Sequence, residues 1–155
     1  MQSDRHRVLA GGTLIAMSTV TILGFLTAQS LFPGYSTASQ TISALGSAEA
    51  SGASKAVFNG TMIAAGVLTI IAAYALHHVY ERWALTAVLG TTGAVGFVGV
   101  GVFPAQTGLP HLVAAVVAFA GAGVSALLTS ATVRGPFGAV SAILGGFELM
   151  ALVLF

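Results

Sequence analysis

The segment SKAVFNGTMIAAGVLTIIAAYALH, residues 54–77, decides the fold. Its one charged residue is Lys55, next to its beginning, and almost everything that follows is apolar. A helix that crosses a lipid bilayer needs about 20 mainly apolar residues. The segment therefore predicts a transmembrane helix.

The same pattern recurs in four other parts of the chain, at residues 8–30, 83–103, 110–132 and 136–155. Pro110 and Pro136 stand where the last two begin, and proline is favoured in the first turn of a helix. The first run is longer than the apolar core of a signal peptide. The sequence thus predicts an all-α protein, a polytopic transmembrane helix bundle with five spans in a single domain over residues 1–155 and an outer loop at 31–53.

The composition agrees with a membrane protein. Of the 155 residues, 56% are hydrophobic and only 6% are charged, whereas soluble domains carry about 25% charged residues. A net charge of +1 excludes a basic surface for nucleic acid, and the absence of cysteine excludes thiolate metal or redox sites. The lipid bilayer is the predicted environment.

The positions of the basic residues predict an orientation. Arg5, Arg7, Arg82 and Arg134 fall on one side of the five spans, and Lys55 falls on the other. Because Lys and Arg accumulate in cytoplasmic loops, we expect a multi-pass protein of the cell membrane with its N-terminus in the cytoplasm and its C-terminus outside.

The outer loop contains an uncharged polar stretch, FPGYSTASQTISALGS, residues 32–47. Thr37 and Gln40 have the spacing of a capping box, and Gly46 is a plausible helix stop. Between them, apolar residues recur at helical spacing on one face, and polar residues recur at helical spacing on another. We expect a short amphipathic helix at the outer boundary of the bilayer.

Polar residues at the outer ends of the spans are candidates for ligand binding. An amide or an imidazole near the membrane can bind a ligand, or it can serve only to bridge two helices or hold a helix start. Both interpretations stay open for Asn59, near the start of the second span, and His111, at the start of the fourth. The predicted ligand-binding residues are Tyr35, Ser39, Gln40, Ser43, Asn59 and His111.

One acid falls inside a span. Glu148 lies twelve residues beyond Pro136, or about 18 Å along a helix, near the middle of the bilayer. A carboxyl group there is protonated or paired, which favours a proton- or cation-linked role. The alternative is a helix that ends at Gly145–Gly146 and leaves Glu148 in a polar connection.

Other signatures of chemistry are weak. His77, His78 and Glu81 cluster at the end of the second span, but they lack the ligand count of a metal site, and no metal is expected. The sequence has no motif of known hydrolases or of phosphate- or cofactor-binding proteins, so no cofactor is predicted. The glycines of residues 93–101 are typical of close helix contacts, within the chain or in a homo-oligomer or with a membrane partner.

At YSTASQTISALGS, VFNGTM and GVFPAQTGLPH, the chain resembles an uncharacterised family of small polytopic membrane proteins, domain of unknown function nine-nine-eight. The likeness covers about residues 8–132. Family members typically have six spans, and no activity is established for them. The residues that match its motifs are Tyr35, Ser36, Ile42, Ser43, Leu45, Gly46, Phe58, Asn59, Gly101, Phe103, Pro104 and His111.

Three functions remain open from the sequence. The first is a membrane protein with a small outward-facing polar pocket that binds or moves a small molecule, a lipid headgroup or a proton. The second is a membrane-embedded hydrolase, with Ser39 or Ser43 as the nucleophile and His111 as the base. The third is a structural subunit of a membrane complex.

Overall fold

The computed structural model describes residues 2–154, and it contains only helices and connecting turns within that range. Five of the helices are long and apolar enough to cross a membrane. This confirms the predicted all-α bundle of five spans. They are α1 (Gln2–Ser30), α2 (Gly52–Tyr80), α3 (Trp83–Val102), α4 (Leu109–Thr132) and α5 (Pro136–Leu154).

The helix ends follow from local chemistry. At the start of α2, the side chain of Ser51 accepts a hydrogen bond from the backbone N–H of Ser54 at 3.0 Å, which satisfies one of the free donors of the first turn. At its other end, Glu81 adopts a left-handed conformation (φ 51°) and its N–H bonds to the carbonyl of His77. This residue closes α2 and turns the chain into α3.

The helices pack mainly on their neighbours in the sequence. α1 packs on α2, α2 on α3, α3 on α4, and α4 on α5. Successive helices run in opposite directions, so residues 31–51 and residues 103–108 lie at the same end of the bundle, which we call the loop end. α1 and α5 flank the bundle, and most of their apolar surface is exposed.

Small residues allow the helices to cross closely. A Cβ atom on Gly66 would lie 2.6 Å from the carbonyl oxygen of Gly93, and one on Gly96 would lie 2.7 Å from the Cα atom of Ala118. The glycines of α3 are therefore used to pack α3 against α2 and α4. The expectation that glycine faces bind another chain stays a prediction.

Residues Thr92–Phe97 of α3 form a π-helical segment that hydropathy did not indicate. Such a segment inserts an extra residue into a helical turn and is common at functional sites. Here it ends at Phe97, whose ring lines the cavity described below.

The predicted short helix is present, but its start and its stop differ from expectation. It is a 3-10 helix at Ile42–Gly46, with no side-chain cap from Thr41. The predicted capping box on Thr37 is wrong, because the Gln40 side chain instead accepts from the N–H of Ser36 at 2.9 Å. Gly46 does not have the positive φ of a helix stop.

Candidate ligand site

The three segments that stood out in the sequence meet at the first turns of α2. The side-chain amide of Asn59 donates to the carbonyl oxygen of Gly46 at 3.4 Å. On the neighbouring side of α2, a Cβ atom on Gly101 would lie 2.6 Å from the carbonyl oxygen of Asn59. Asn59 thus lies where the short helix and the end of α3 both contact α2.

Several of the predicted site residues use their polar groups to hold the loop. Tyr35 donates its hydroxyl to the carbonyl of Thr41 at 3.3 Å, and Gln40 bonds to Ser36 as described. Ser51 and Ser54, which the sequence did not single out for this, donate to the carbonyls of Leu31 at 2.7 Å and Leu45 at 3.0 Å. These contacts favour a structural role for the hydroxyls of Tyr35, Ser51 and Ser54.

His111 is held by the turn before α4. Its Nδ1 atom lies 2.7 Å from the carbonyl oxygen of Phe103. A carbonyl only accepts, so Nδ1 carries the hydrogen in this contact. Within residues 2–154, no hydrogen bond joins His111 to Ser39 or Ser43, and the catalytic pair required for a hydrolase is not formed.

Beneath the short helix lies an apolar cavity of about 190 Å³. Ile42 and Ser43 of the short helix line it at the loop end. The Ser43 hydroxyl makes no side-chain hydrogen bond within the described part of the chain. The walls come from all of α1 to α4 and include Met17, Phe25, Phe58, Met62, Phe97 and Phe119.

The cavity has one weakly packed side. α1 contacts α2 and the short helix, and it makes no extensive contact with α4 among the described residues. The rings of Phe25 and Phe58 stack with their centroids 5.3 Å apart and close the side between α1 and α2. The side between α1 and α4 is therefore the one least closed by helix packing among the described residues.

A second, polar cleft lies on the other side of the short helix. It has a volume of about 320 Å³ and is lined by Thr41, Ser47, Glu49 and Gln106, among others. Gln106 accepts a hydrogen bond from the N–H of Ala48 at 3.1 Å, which ties the loop to the turn between α3 and α4. The short helix thus separates an apolar cavity from a polar cleft.

Glu148 lies within an unbroken helix. α5 continues through Gly145 and Gly146 to Leu154, so the alternative of a helix that ends at these glycines is wrong. Gly145 instead packs on α4, where a Cβ atom would lie 2.7 Å from the carbonyl oxygen of Gly123. The Glu148 side chain lines a groove together with Phe119 of α4.

A cluster of rings lies at the end opposite the loop end. His6 stacks on His78 with centroids 4.6 Å apart, and Tyr74 contacts His78 edge-on at 4.7 Å. The sequence indicated His77 and His78 but missed His6, because only the packing of α1 on α2 brings it there. Within the described residues, no group of three potential ligands is arranged to hold a metal.

A family model described as "Protein of unknown function (DUF998)" matches residues 14–155. The match covers well over half of the chain. This protein belongs to the DUF998 family. Searches of curated proteins and of solved structures found no match.

DUF998 membership agrees with the resemblance noted in the sequence, and the structure adds where the matching residues lie. Gly46, Asn59 and Gly101 come from three separate segments and meet at one junction. Phe58, next to Asn59, lines the apolar cavity. In this DUF998 protein, three of the matching residues, Ile42, Ser43 and Phe58, line the cavity.

Proposed function

We propose that this integral membrane protein binds a single-chain amphiphile, with the apolar chain in the cavity beneath the short helix and the polar group beside Ser43. The apolar cavity is the observation that carries the proposal. This interpretation replaces the polar pocket expected from the sequence with a site whose main recognition is apolar. The residues that bind the chain come from α1, α2, α3 and α4.

The size and chemistry of the cavity support this proposal. Its volume of about 190 Å³ exceeds the roughly 150 Å³ of an engineered apolar cavity that binds benzene or xenon, so it can hold an apolar group of that size, such as a segment of an acyl chain. Ligand pockets are mostly apolar, with a few polar groups that fix orientation. Ser43 supplies such a group, since its hydroxyl has no other partner within residues 2–154.

The loop end suits the polar part of an amphiphile. The stretch 32–47 is rich in hydroxyls and carries no charge, which is compatible with a position near hydrocarbon. A lipid that enters between α1 and α4 would keep its headgroup at this boundary. We further propose that the loop end faces outside and the N-terminus faces the cytoplasm, as the distribution of Lys and Arg favours.

The proposal can be tested with a photoreactive lysophosphatidylcholine that carries a diazirine on its acyl chain. The purified protein is labelled in nanodiscs, and the labelled peptides are mapped by mass spectrometry. We expect labels on Met17, Phe58, Met62 or Phe119, and we expect unlabelled lysolipid to compete for them. Labels restricted to lipid-facing residues of α5, without competition, would contradict the proposal.

A cavity-filling variant supplies the matched control. Ala115 lines the cavity, and Ala139 is exposed on α5. Ala115→Leu places added atoms in the cavity, so we expect it to abolish competitive labelling there. Ala139→Leu adds the same atoms on the lipid-facing surface and leaves the labelling unchanged.

A further inference from the structure

Glu148 is an acid within a helix that faces the bilayer over much of its surface. It lies twelve residues beyond the start of α5 at Pro136, or about 18 Å along the helix axis. Among residues 2–154, α4 is the only helix on which α5 packs extensively. Phe147 and Met150, which flank Glu148 on α5, are 65% and 54% exposed. The carboxyl group therefore lies deep in the apolar layer, partly covered by α4.

The side chain borders a defined groove. This groove has a volume of about 370 Å³ and is lined by Phe119 from α4 and by Phe147, Glu148, Ala151 and Leu152 from α5. The groove thus combines one carboxyl group, two phenyl rings and an otherwise aliphatic surface. It is distinct from the cavity beneath the short helix, with which it shares only the Phe119 side chain.

The described chain supplies no partner for this carboxyl group. Within residues 2–154, Glu148 has no ion pair and no side-chain hydrogen bond. The cationic side chains all lie near the ends of the helices: Arg5, Arg7, Lys55, Arg82 and Arg134. The facing helix α4 carries one titratable residue, His111, in its first turn.

We propose that the groove between α4 and α5 is a binding site for lipophilic cations, with Glu148 as the counter-ion. A carboxylate in hydrocarbon is stabilised by a positive partner. Residues 2–154 provide none for Glu148, so in this proposal the partner comes from the bilayer. Phe119 and Phe147 present aromatic surface, which attracts cations when they are desolvated. An ordinary inorganic cation would lack enough oxygen ligands in this groove, whereas an organic cation with apolar substituents fits its surface.

Binding of tetraphenylphosphonium to the purified protein in nanodiscs tests this site. We expect saturable binding, competition by other lipophilic cations, and none by the neutral triphenylphosphine oxide. Glu148→Gln keeps the shape and removes the charge, and we expect it to weaken binding by at least about tenfold, the factor that corresponds to 1.4 kcal/mol. Glu81→Gln, the same change in an exposed acid at the end of α2, leaves binding unchanged.

A second measurement on the unsubstituted protein does not depend on the folding of a variant. Dicyclohexylcarbodiimide modifies carboxyl groups in apolar surroundings, and we expect it to label Glu148. Tetraphenylphosphonium should protect Glu148 from this label, and tetraphenylborate, of similar shape and opposite charge, should not. Protection by both ions, or equal affinity in Glu148→Gln, would overturn the proposal.

A second copy of the chain in the groove is the competing outcome. In that case Glu148 would stay unlabelled in the native protein and become reactive only after dissociation to the monomer, which also overturns the proposal. The test is independent of the amphiphile site, because Glu148→Gln leaves the competitive lysolipid labelling of the cavity unchanged if that site is correct.

Discussion

The side-chain amide of Asn59 donates to the carbonyl oxygen of Gly46 across 3.4 Å, and this contact joins the short helix to α2. Gly46 comes so close to α2 that a Cβ atom on it would lie 2.5 Å from Cδ1 of Phe58 and would also meet the Asn59 amide oxygen. Phe58 is in turn a wall of the apolar cavity. The position of the short helix over the cavity therefore depends on this close contact.

Gly46→Ala should lower the stability of the protein. The added methyl group has no room, so Phe58 or the short helix must shift, and overpacking of this kind costs about 1–3 kcal/mol. Thermal unfolding in detergent measures the effect. Gly60→Ala is the control, because a Cβ atom there meets nothing within 4 Å and alanine favours the helix; an equal loss in both variants would contradict the account.

Asn59→Asp should destabilise the protein more than Asn59→Ala. The Asn59 amide donates to Gly46, and its oxygen is buried without a hydrogen-bond partner within the described residues. A carboxylate would place a second acceptor against the Gly46 carbonyl, and an unsatisfied buried group of this kind costs about 1–3 kcal/mol. Unfolding midpoints of the two variants give the comparison, and the reverse order would show that the amide is not a donor to Gly46.

His111→Asn should preserve the turn between α3 and α4 better than His111→Ala. The Nδ1 atom of His111 lies 2.7 Å from the carbonyl of Phe103, and the asparagine amide can donate from a similar position. Loss of this hydrogen bond in the alanine variant costs about 1 kcal/mol. Hydrogen exchange of the residues around 103–111 reports it, and identical exchange in both variants would mean that the contact has no stabilising effect.

The long apolar runs made the number of helices predictable, because a membrane span requires length and composition and little else. The short helix was also predictable, but its start was not. Ser36 and Thr37 both precede Gln40 at helical spacing, and only the folded backbone decides that the N–H of Ser36 donates to the Gln40 side chain. The Ser36 hydroxyl instead accepts from the N–H of Ala38. Gly46 has the same ambiguity, since the sequence suggests a helix stop where the structure requires close packing.

The apolar cavity could not be predicted from the sequence. Its walls come from four helices, and aromatic or aliphatic residues such as Phe25 and Phe97 look like ordinary span residues when read one segment at a time. The π-helical turn that precedes Val98 leaves no signal in hydropathy. The groove of Glu148 was anticipated only in part, because the acid is evident but its neighbour Phe119 belongs to another helix.

Cysteine labelling tests the proposed orientation. The chain has no cysteine of its own, and Ala48 and Ser3 are exposed at opposite ends of the bundle. We expect a membrane-impermeant maleimide added to intact cells to label Ala48→Cys and to label Ser3→Cys only after the membrane is opened. The opposite pattern would place the loop end in the cytoplasm.

An experimental structure of the protein purified with native lipid tests the central claim most directly. We predict elongated density that enters between α1 and α4 and continues beneath Ile42 and Ser43, in contact with Phe25, Phe58 and Phe119. Ala115→Leu should remove this density without moving the helices. An empty cavity, or α1 packed against α4 so that no chain can enter, would contradict the claim that the protein binds an amphiphile there.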